Sequence, residues 1–216
     1  MGRALTLLGL TEERCTFCGG GLDDPEQGYL CGECIKSIEP AHPILYEKLD
    51  FIESYRVFGS YDGVLAEAIR LIKFRSVKPL ARRLGAAISR HLKEFIEETH
   101  PDLLTHVPLH TFRFWSRGFD HNEEILLGAG LNSEPVLFRK RHSRPLASYG
   151  REERLSAVKD AFGVREEFID AVEGKRVLVF DDILTTGATS RAVSELLLSL
   201  GASEVFFYFL SREGVN

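Results

Sequence analysis

At 216 residues the chain is long enough for one ordinary α/β domain and a small appendage, and its 44% apolar content can supply a hydrophobic core. No stretch approaches the roughly eighteen apolar residues of a membrane span, and the apolar piece at 4–10 leads into charged residues without a cleavage pattern, so a cytoplasmic protein is expected. The net charge of −5 argues against a protein that coats nucleic acid through its global field, and any polyanion must bind a local basic patch. A single methionine beside 27% charged residues is typical of heat-adapted proteins.

All four cysteines lie near the amino terminus, in two CxxC turns separated by twelve residues. They are Cys15, Cys18, Cys31 and Cys34. Each turn can present a pair of thiolates to one ion, and four thiolates complete the tetrahedral shell of a structural zinc. The spacing therefore predicts a zinc ribbon over residues 1–40. The alternative is a pair of disulfides or redox motifs, which fits poorly with a cytosolic chain that has no signal peptide.

The next segments predict a strand followed by two helices. Residues 51–58 alternate in polarity as a strand does, and residues 60–63 have the composition of a turn. Leu65, Ile69 and Ile72 then recur at helical spacing, with Lys73 and Arg75 at the end of this first helix. A second amphipathic helix is predicted over about residues 77–97.

A short buried strand is predicted at 103–110, and it stops at Pro108. Backbone amides at such a turn can face a diphosphate. The segment that follows, 112–124, combines Arg113 and Arg117 with aromatic rings and leads into a helix. It is either part of the site or an ordinary exposed loop with anchoring aromatics.

A basic cluster occupies residues 139–144, in the run RKRHSR. Its cations are Arg139, Lys140, Arg141 and Arg144. They form either a solvated loop or a docking strip for phosphate, on a small ligand or along a nucleic-acid backbone. The histidines at 106, 110, 121 and 142 have no metal-ligand spacing and are interpreted as ordinary loop residues.

The most informative segment is the run VLVFDDILTTGAT at 177–189. An unbroken apolar stretch at 177–180 predicts a parallel strand that is covered on both faces, and such strands carry ligand sites at their carboxyl ends. Asp181 and Asp182 follow, two carboxylates suited to the vicinal hydroxyls of a ribose and to magnesium. The turn at 184–189 then offers hydroxyls, a glycine and the free amides of a helix start to a phosphate. The alternative is that these residues merely cap a helix.

This run resembles the phosphoribosyl-diphosphate (PRPP) motif of type I phosphoribosyltransferases. Together with the other motifs, it resembles the ComF/GntX family of competence-associated proteins, and this resemblance covers almost the entire chain. The motifs that carry it are, in chain order, the ribbon, YDG at 61–63, LIKF at 71–74, HVPLH at 106–110, RGFDHN at 117–122 and RLSAVKDAF at 154–162. The resemblance implies an α/β fold over 41–216 with a type I phosphoribosyltransferase-like parallel sheet flanked by helices. It also implies a role in natural transformation, with single-stranded DNA and a helicase-like ATPase as partners.

The resemblance also implies roles for residues. Asp181 and Asp182 would face ribose and magnesium, and Arg117 would lie in the mobile loop of the catalytic site. The 5′-phosphate would bind Thr185, Thr186, Gly187, Ala188 and Thr189, and the diphosphate would bind Val107, Pro108 and Leu109.

The chain departs from the family pattern in several places. Asp120 and His121 stand where the family has Asn and Gln, while Leu146 and Ala157 replace a Gln and an Asn. These changes alter or remove hydrogen-bonding groups near the site.

Two functions are therefore open. The first is a PRPP-site protein of DNA uptake that acts by binding single-stranded DNA or a partner. The second is a magnesium-dependent transferase acting on a nitrogenous acceptor. Transfer needs a cation for the leaving group, for which Arg113, Arg117 and Lys73 are candidates.

Overall fold

The computed structural model describes residues 14–22, 24, 28–40, 49–109, 111–140 and 161–214, and of residues 111–113 it describes the backbone alone. The helices within these ranges are α1 (Gly32–Lys36), α2 (Gly63–Arg75), α3 (Lys78–Thr99), α4 (Thr111–Arg117), α5 (His121–Gly128), α6 (Ile169–Val172) and α7 (Ala188–Ser199). The strands are β1 (Ser54–Ser60), β2 (Leu103–His106), β3 (Leu137–Arg139), β4 (Phe162–Val164), β5 (Arg176–Leu184) and β6 (Glu204–Arg212). None of the helices described is long and apolar enough to cross a membrane.

Four parallel strands form the main sheet, in the order β1, β6, β5, β2. Phe180 of β5 pairs with Tyr208 of β6 on one side and with His106 of β2 on the other. Because all four strands run the same way, their carboxyl ends share one edge of the sheet, where open α/β sheets bind ligands. Strands β3 and β4 form a separate antiparallel pair.

Both faces of the main sheet are covered, as the unbroken apolar run of β5 predicts. Leu178 and Phe180 belong to the cluster that packs under α2, α3 and α5. Val177 and Val179 point to the opposite cluster, which includes residues of α6, α7 and the β3–β4 pair. The predicted α/β fold with a parallel sheet flanked by helices is confirmed.

Helices α3 and α5 approach each other so closely that only glycine fits where they touch. A Cβ added to Gly85 of α3 would collide with the carbonyl oxygen of Ile125 and lie 2.9 Å from the amide nitrogen of Ala129. One added to Gly128 of α5 would collide with the backbone of Arg82. This close packing fixes α5 against the core and positions its first residues at the ligand edge of the sheet.

The ribbon packs against the start of α3. Leu30 and Ile35 share an apolar cluster with Val77 and Leu80, and the guanidinium of Arg83 donates a 2.7 Å hydrogen bond to the carbonyl of Leu30. The ribbon is thus tied to the larger part of the chain by apolar and polar contacts. The division at residue 40 stays a prediction.

Candidate functional site

The acid pair lies in the last part of β5, at the carboxyl edge of the sheet. Asp181 is 8% exposed, and the side chain of Asp182 is 14% exposed. The amide of Asp182 donates a 2.9 Å hydrogen bond to Oδ1 of Asp181. Two carboxylates this close and this buried need cations or donors around them, because neither is well solvated.

Asp182 has two such partners. Lys73, near the end of α2, places Nζ 2.7 Å from Oδ2 of Asp182. His121, the first residue of α5, contacts the same carboxylate oxygen through Nε2. The three side chains are nearly enclosed, with Lys73 16% and His121 5% exposed, so these are interior interactions that solvent screens little.

Arg117 completes this network from the end of α4. One of its terminal nitrogens lies 2.8 Å from Nδ1 of His121, and the other donates to the carbonyl oxygen of Lys73 at 2.9 Å. A guanidinium has only donors, so Nδ1 of His121 accepts, and the imidazole proton resides on Nε2, where it is donated to Asp182. The tautomer of His121 is thereby fixed by its neighbours.

The two acids titrate very differently. Burial, reinforced by the charge of Asp182, raises the pKa of Asp181 to about 7, although Lys73 and Arg139 act in the other direction. Burial also opposes ionisation of Asp182, but the hydrogen bond from His121 and the charge of Lys73 outweigh it and hold the pKa of Asp182 below its usual range. Near neutral pH Asp182 is therefore ionised, and Asp181 is about half protonated and exchanges its proton in this range.

The residues predicted to bind diphosphate lie beside this pair, after β2. Two of their backbone amides already donate hydrogen bonds within the protein. The amide of Val107 donates to the carbonyl oxygen of Phe180 at 2.9 Å, and that of Leu109 donates to Oδ2 of Asp120 at 3.0 Å. Asp120 caps α5 by accepting from the amide of Asn122. A diphosphate at Leu109 would have to replace Asp120, and the role of 107–109 stays a prediction.

The turn after β5 opens a helix that has no side-chain cap. Gly187 is the N-cap of α7, with a φ of 72° that favours glycine, and the first turn contains no acid. Thr185 and Thr186 are exposed, and Thr189 is half-buried. The amino end of a 12-residue helix, bordered by hydroxyls, suits a phosphate.

Arg139, the first residue of the basic cluster, acts electrostatically on the acid pair. The positive charge of Arg139 lowers the pKa of Asp181, and its guanidinium lies over the ring of Phe162 at 4.8 Å from the centroid. Lys140 is exposed. Arg141 and Arg144 lie outside the described residues, as do Leu146 and Ala157, so the docking strip stays a prediction.

His121 shows where the interpretation from sequence failed. The histidines were expected to be ordinary loop residues, which is wrong for His121, since it starts a helix and contacts Asp182. The sequence does contain one indication of this role: Asp120 and His121 replace the two amide side chains of the family pattern close to the site. Lys73 is one of the three candidate cations, and its side chain contacts the acid pair at Asp182.

The four cysteines converge as predicted. All four Sγ atoms lie within 4.8 Å of one another, and the pairs Cys15–Cys34 and Cys18–Cys31 are each separated by 3.7 Å. Four sulfurs at about 2.3 Å from a tetrahedral zinc would be spaced by roughly this amount, whereas a disulfide needs about 2.05 Å. Amides of Gly20 and Cys34 point to Sγ of Cys18 and Cys31, respectively. The cluster can hold a zinc ion with no open coordination position.

Known proteins resemble this chain in sequence. Competence protein F of Haemophilus influenzae is 30% identical over 92% of this chain and 84% of its own length. Competence protein ComFC of Streptococcus pneumoniae is 30% identical over 74% of this chain and 68% of its own. Adenine phosphoribosyltransferase of Parasynechococcus marenigrum is 32% identical over 64% of this chain and 76% of its own length. No protein-family model matches the chain.

Among solved structures, glutamine PRPP amidotransferase from B. subtilis matches with a TM-score of 0.41 and 22% identity. The match covers 62% of this chain and 26% of that enzyme, so the chain spans about a quarter of its length.

The parallel sheet, with an acid pair and an open helix start at its carboxyl edge, defines a type I phosphoribosyltransferase-like protein with an appended four-cysteine cluster. The identity to competence protein F, over most of both chains, shows the family. The chain belongs to the ComF family.

Proposed function

We propose that this protein serves DNA uptake, binding a PRPP-type phosphosugar at the carboxyl edge of its sheet and single-stranded DNA on its surface. The observation that carries the proposal is the acid pair and glycine-capped helix start in a chain 30% identical to competence protein F. A helicase-like DNA-uptake ATPase is the proposed protein partner, in keeping with the family. The zinc would hold the ribbon folded and take no part in chemistry.

The phosphosugar would bind across the edge of the sheet. The start of α7 would take the 5′-phosphate through its backbone amides, and Thr185 and Thr186 would add hydroxyl donors. Asp181 and Asp182 would accept hydrogen bonds from the ribose hydroxyls and, directly or through water, hold magnesium. Lys73 and Arg117 would supply positive charge at this edge, since Lys73 contacts Asp182 and Arg117 contacts His121, the imidazole on Asp182.

For DNA binding, the basic cluster gives a direct test. Affinity for a single-stranded oligonucleotide should fall steeply between about 50 and 200 mM salt, since each phosphate that a cation neutralises releases counterions. Alanine at Arg139, Lys140 and Arg141 together should reduce the slope of log K against log salt by about 2, at about 0.7 for each phosphate that is no longer neutralised. Fluorescence anisotropy of a labelled oligonucleotide measures both quantities.

The control is Lys175→Ala, because Lys175 precedes β5 and thus lies at the opposite edge of the sheet. It should leave the slope unchanged. Salt-insensitive binding, or no binding, by the unmodified protein would contradict the DNA-binding proposal.

A working transferase is the second candidate, and the 32% identity to an adenine phosphoribosyltransferase favours it. It predicts magnesium-dependent release of diphosphate from PRPP when a suitable base is present, and loss of that release in Asp181→Asn. Release that no base in a panel stimulates would leave phosphosugar binding as the function of the site.

A further inference from the structure

The two most exposed aromatic rings of the described residues lie on two helices that border the candidate site. Phe74 and Trp115 are each 79% exposed, and Phe114 is 44% exposed. Phe74 lies in the last turn of α2, while Phe114 and Trp115 lie in α4. Scattered surface apolar groups are ordinary, but rings this open, gathered beside a ligand edge, are not explained by packing.

A hydrogen bond joins the two helix ends that carry these rings. Arg117, the last residue of α4, donates to the carbonyl oxygen of Lys73 at 2.9 Å. Phe74 directly follows Lys73, and Trp115 precedes Arg117 by two residues. The hydrogen bond therefore places the end of α4 beside the end of α2, and we call the three exposed rings that these two helices carry the aromatic rim: Phe74, Phe114 and Trp115.

Three cations follow Phe74 closely along the chain. Arg75 is exposed next to Phe74. Lys78 and Arg82, one turn apart on α3 and about half exposed, both pair with Glu124, so two cations share one carboxylate. Asp182 pairs with Lys73, Asp181 and Asp120 are buried nearby, and Glu123 of α5 is exposed. In a chain with net charge −5, Arg75, Lys78 and Arg82 supply local cations of the kind that a polyanion needs.

We propose that the aromatic rim is a stacking platform for the bases of single-stranded DNA, with Arg75, Lys78 and Arg82 along the phosphate backbone. Open rings beside cations are the means by which proteins bind single strands without sequence preference, because every base has a flat face to stack. A folded protein partner would instead need a continuous apolar patch with fewer cations. The inference rests on the proposed DNA-binding function and assigns its base-contacting surface.

The platform lies next to the phosphosugar site. In the phosphosugar site, Lys73 contacts Asp182 and Arg117 contacts His121. The same two residues form the hydrogen bond between the helix ends that carry the platform. A strand on the rim therefore runs past the acid pair.

The test uses Trp115, the only tryptophan of the chain, as its own reporter. An oligothymidine of about 16 nucleotides should quench its fluorescence, whereas an abasic strand of equal length, with phosphates but no bases, should not. Phe74→Ala should weaken oligothymidine binding by about fivefold or more, and Trp115→Ala likewise by anisotropy of a labelled strand. Because both rings are 79% exposed, neither change should lower the melting temperature noticeably.

The matched control is Ile169→Ala, another exposed apolar side chain, which lies in α6 ahead of β5 at the far edge of the sheet. It should bind as the unmodified protein does. Tight binding with unchanged tryptophan fluorescence and unchanged affinity in Phe74→Ala would overturn the platform and leave the DNA-binding function standing. No binding of either strand by the unmodified protein would overturn both.

Discussion

Gly85→Ala is expected to lower the free energy of unfolding by at least about 3 kcal/mol, which for a chain of this size is a fall of about 6–12 °C in melting temperature. The added methyl group would collide with the carbonyl oxygen of Ile125, a backbone atom that cannot rotate away. Helices α3 and α5 would have to separate. Since α5 begins at His121, the imidazole that contacts Asp182 would move with it.

The direction of the change in stability distinguishes a packing effect from an effect of helix propensity. On helix propensity alone, Gly→Ala stabilises by up to about 1 kcal/mol. The exposed neighbour Ala86 supplies the control, because Ala86→Gly should cost about 1 kcal/mol with no effect on packing. Denaturant unfolding of both variants measures the difference, and a Gly85→Ala protein at least as stable as the unmodified one would contradict the close approach of the two helices.

The second large effect is expected when one thiolate is removed, because the ribbon should then unfold. Cys34→Ser should abolish stoichiometric zinc binding and leave the amides of 15–36 unprotected, because structural zinc supplies about 10–16 kcal/mol to small domains that lack a core of their own. The strands β5 and β6 should stay protected, since their apolar side chains pack within the main sheet's two clusters. Metal analysis with hydrogen exchange measures both results.

Thr16→Ser, an exposed change within the first CxxC turn, is the matched control and should keep one zinc per chain. A metal-free unmodified protein whose ribbon amides are fully protected would show that the cysteines fold the segment without zinc.

The fold could be predicted largely from β5. Its apolar run and the acids that end it are local signals, and the helices at 63–75 and 78–99 follow from side-chain spacing close to the expected bounds. Strand β6 was not predicted, although Phe206, Phe207 and Phe209 are typical of a strand. The β3–β4 pair, three residues in each strand, is too short for its periodicity to identify.

The site was less predictable because its contacts are long-range. Asp181 and Asp182 were identified within one segment, but His121 is 61 residues away from Asp182 in sequence, and nothing local indicates that they touch. The same holds for Lys73. The aromatics at 112–124 were expected either to join the site or to anchor a loop, and the exposure of Trp115 speaks against anchoring.

Calorimetric titration of magnesium-bound PRPP into the purified protein tests the proposed phosphosugar site most directly. Binding should saturate at one ligand per chain. It should be tighter near pH 8 than near pH 6, because the pKa of Asp181 is raised to about 7 and its proton competes with the ligand below that value.

Asp181→Asn is the variant of choice, since the amide is neutral and of the same size as the protonated acid, and the fold should tolerate it. It should weaken binding by about tenfold or more at pH 8 and flatten the pH dependence that Asp181 contributes. Asp170→Asn, an exposed acid in α6, should bind as the unmodified protein does. A saturable 1:1 isotherm that Asp181→Asn weakens is the predicted result; no saturable heat at pH 8, or equal affinity in Asp181→Asn, would contradict the proposed site.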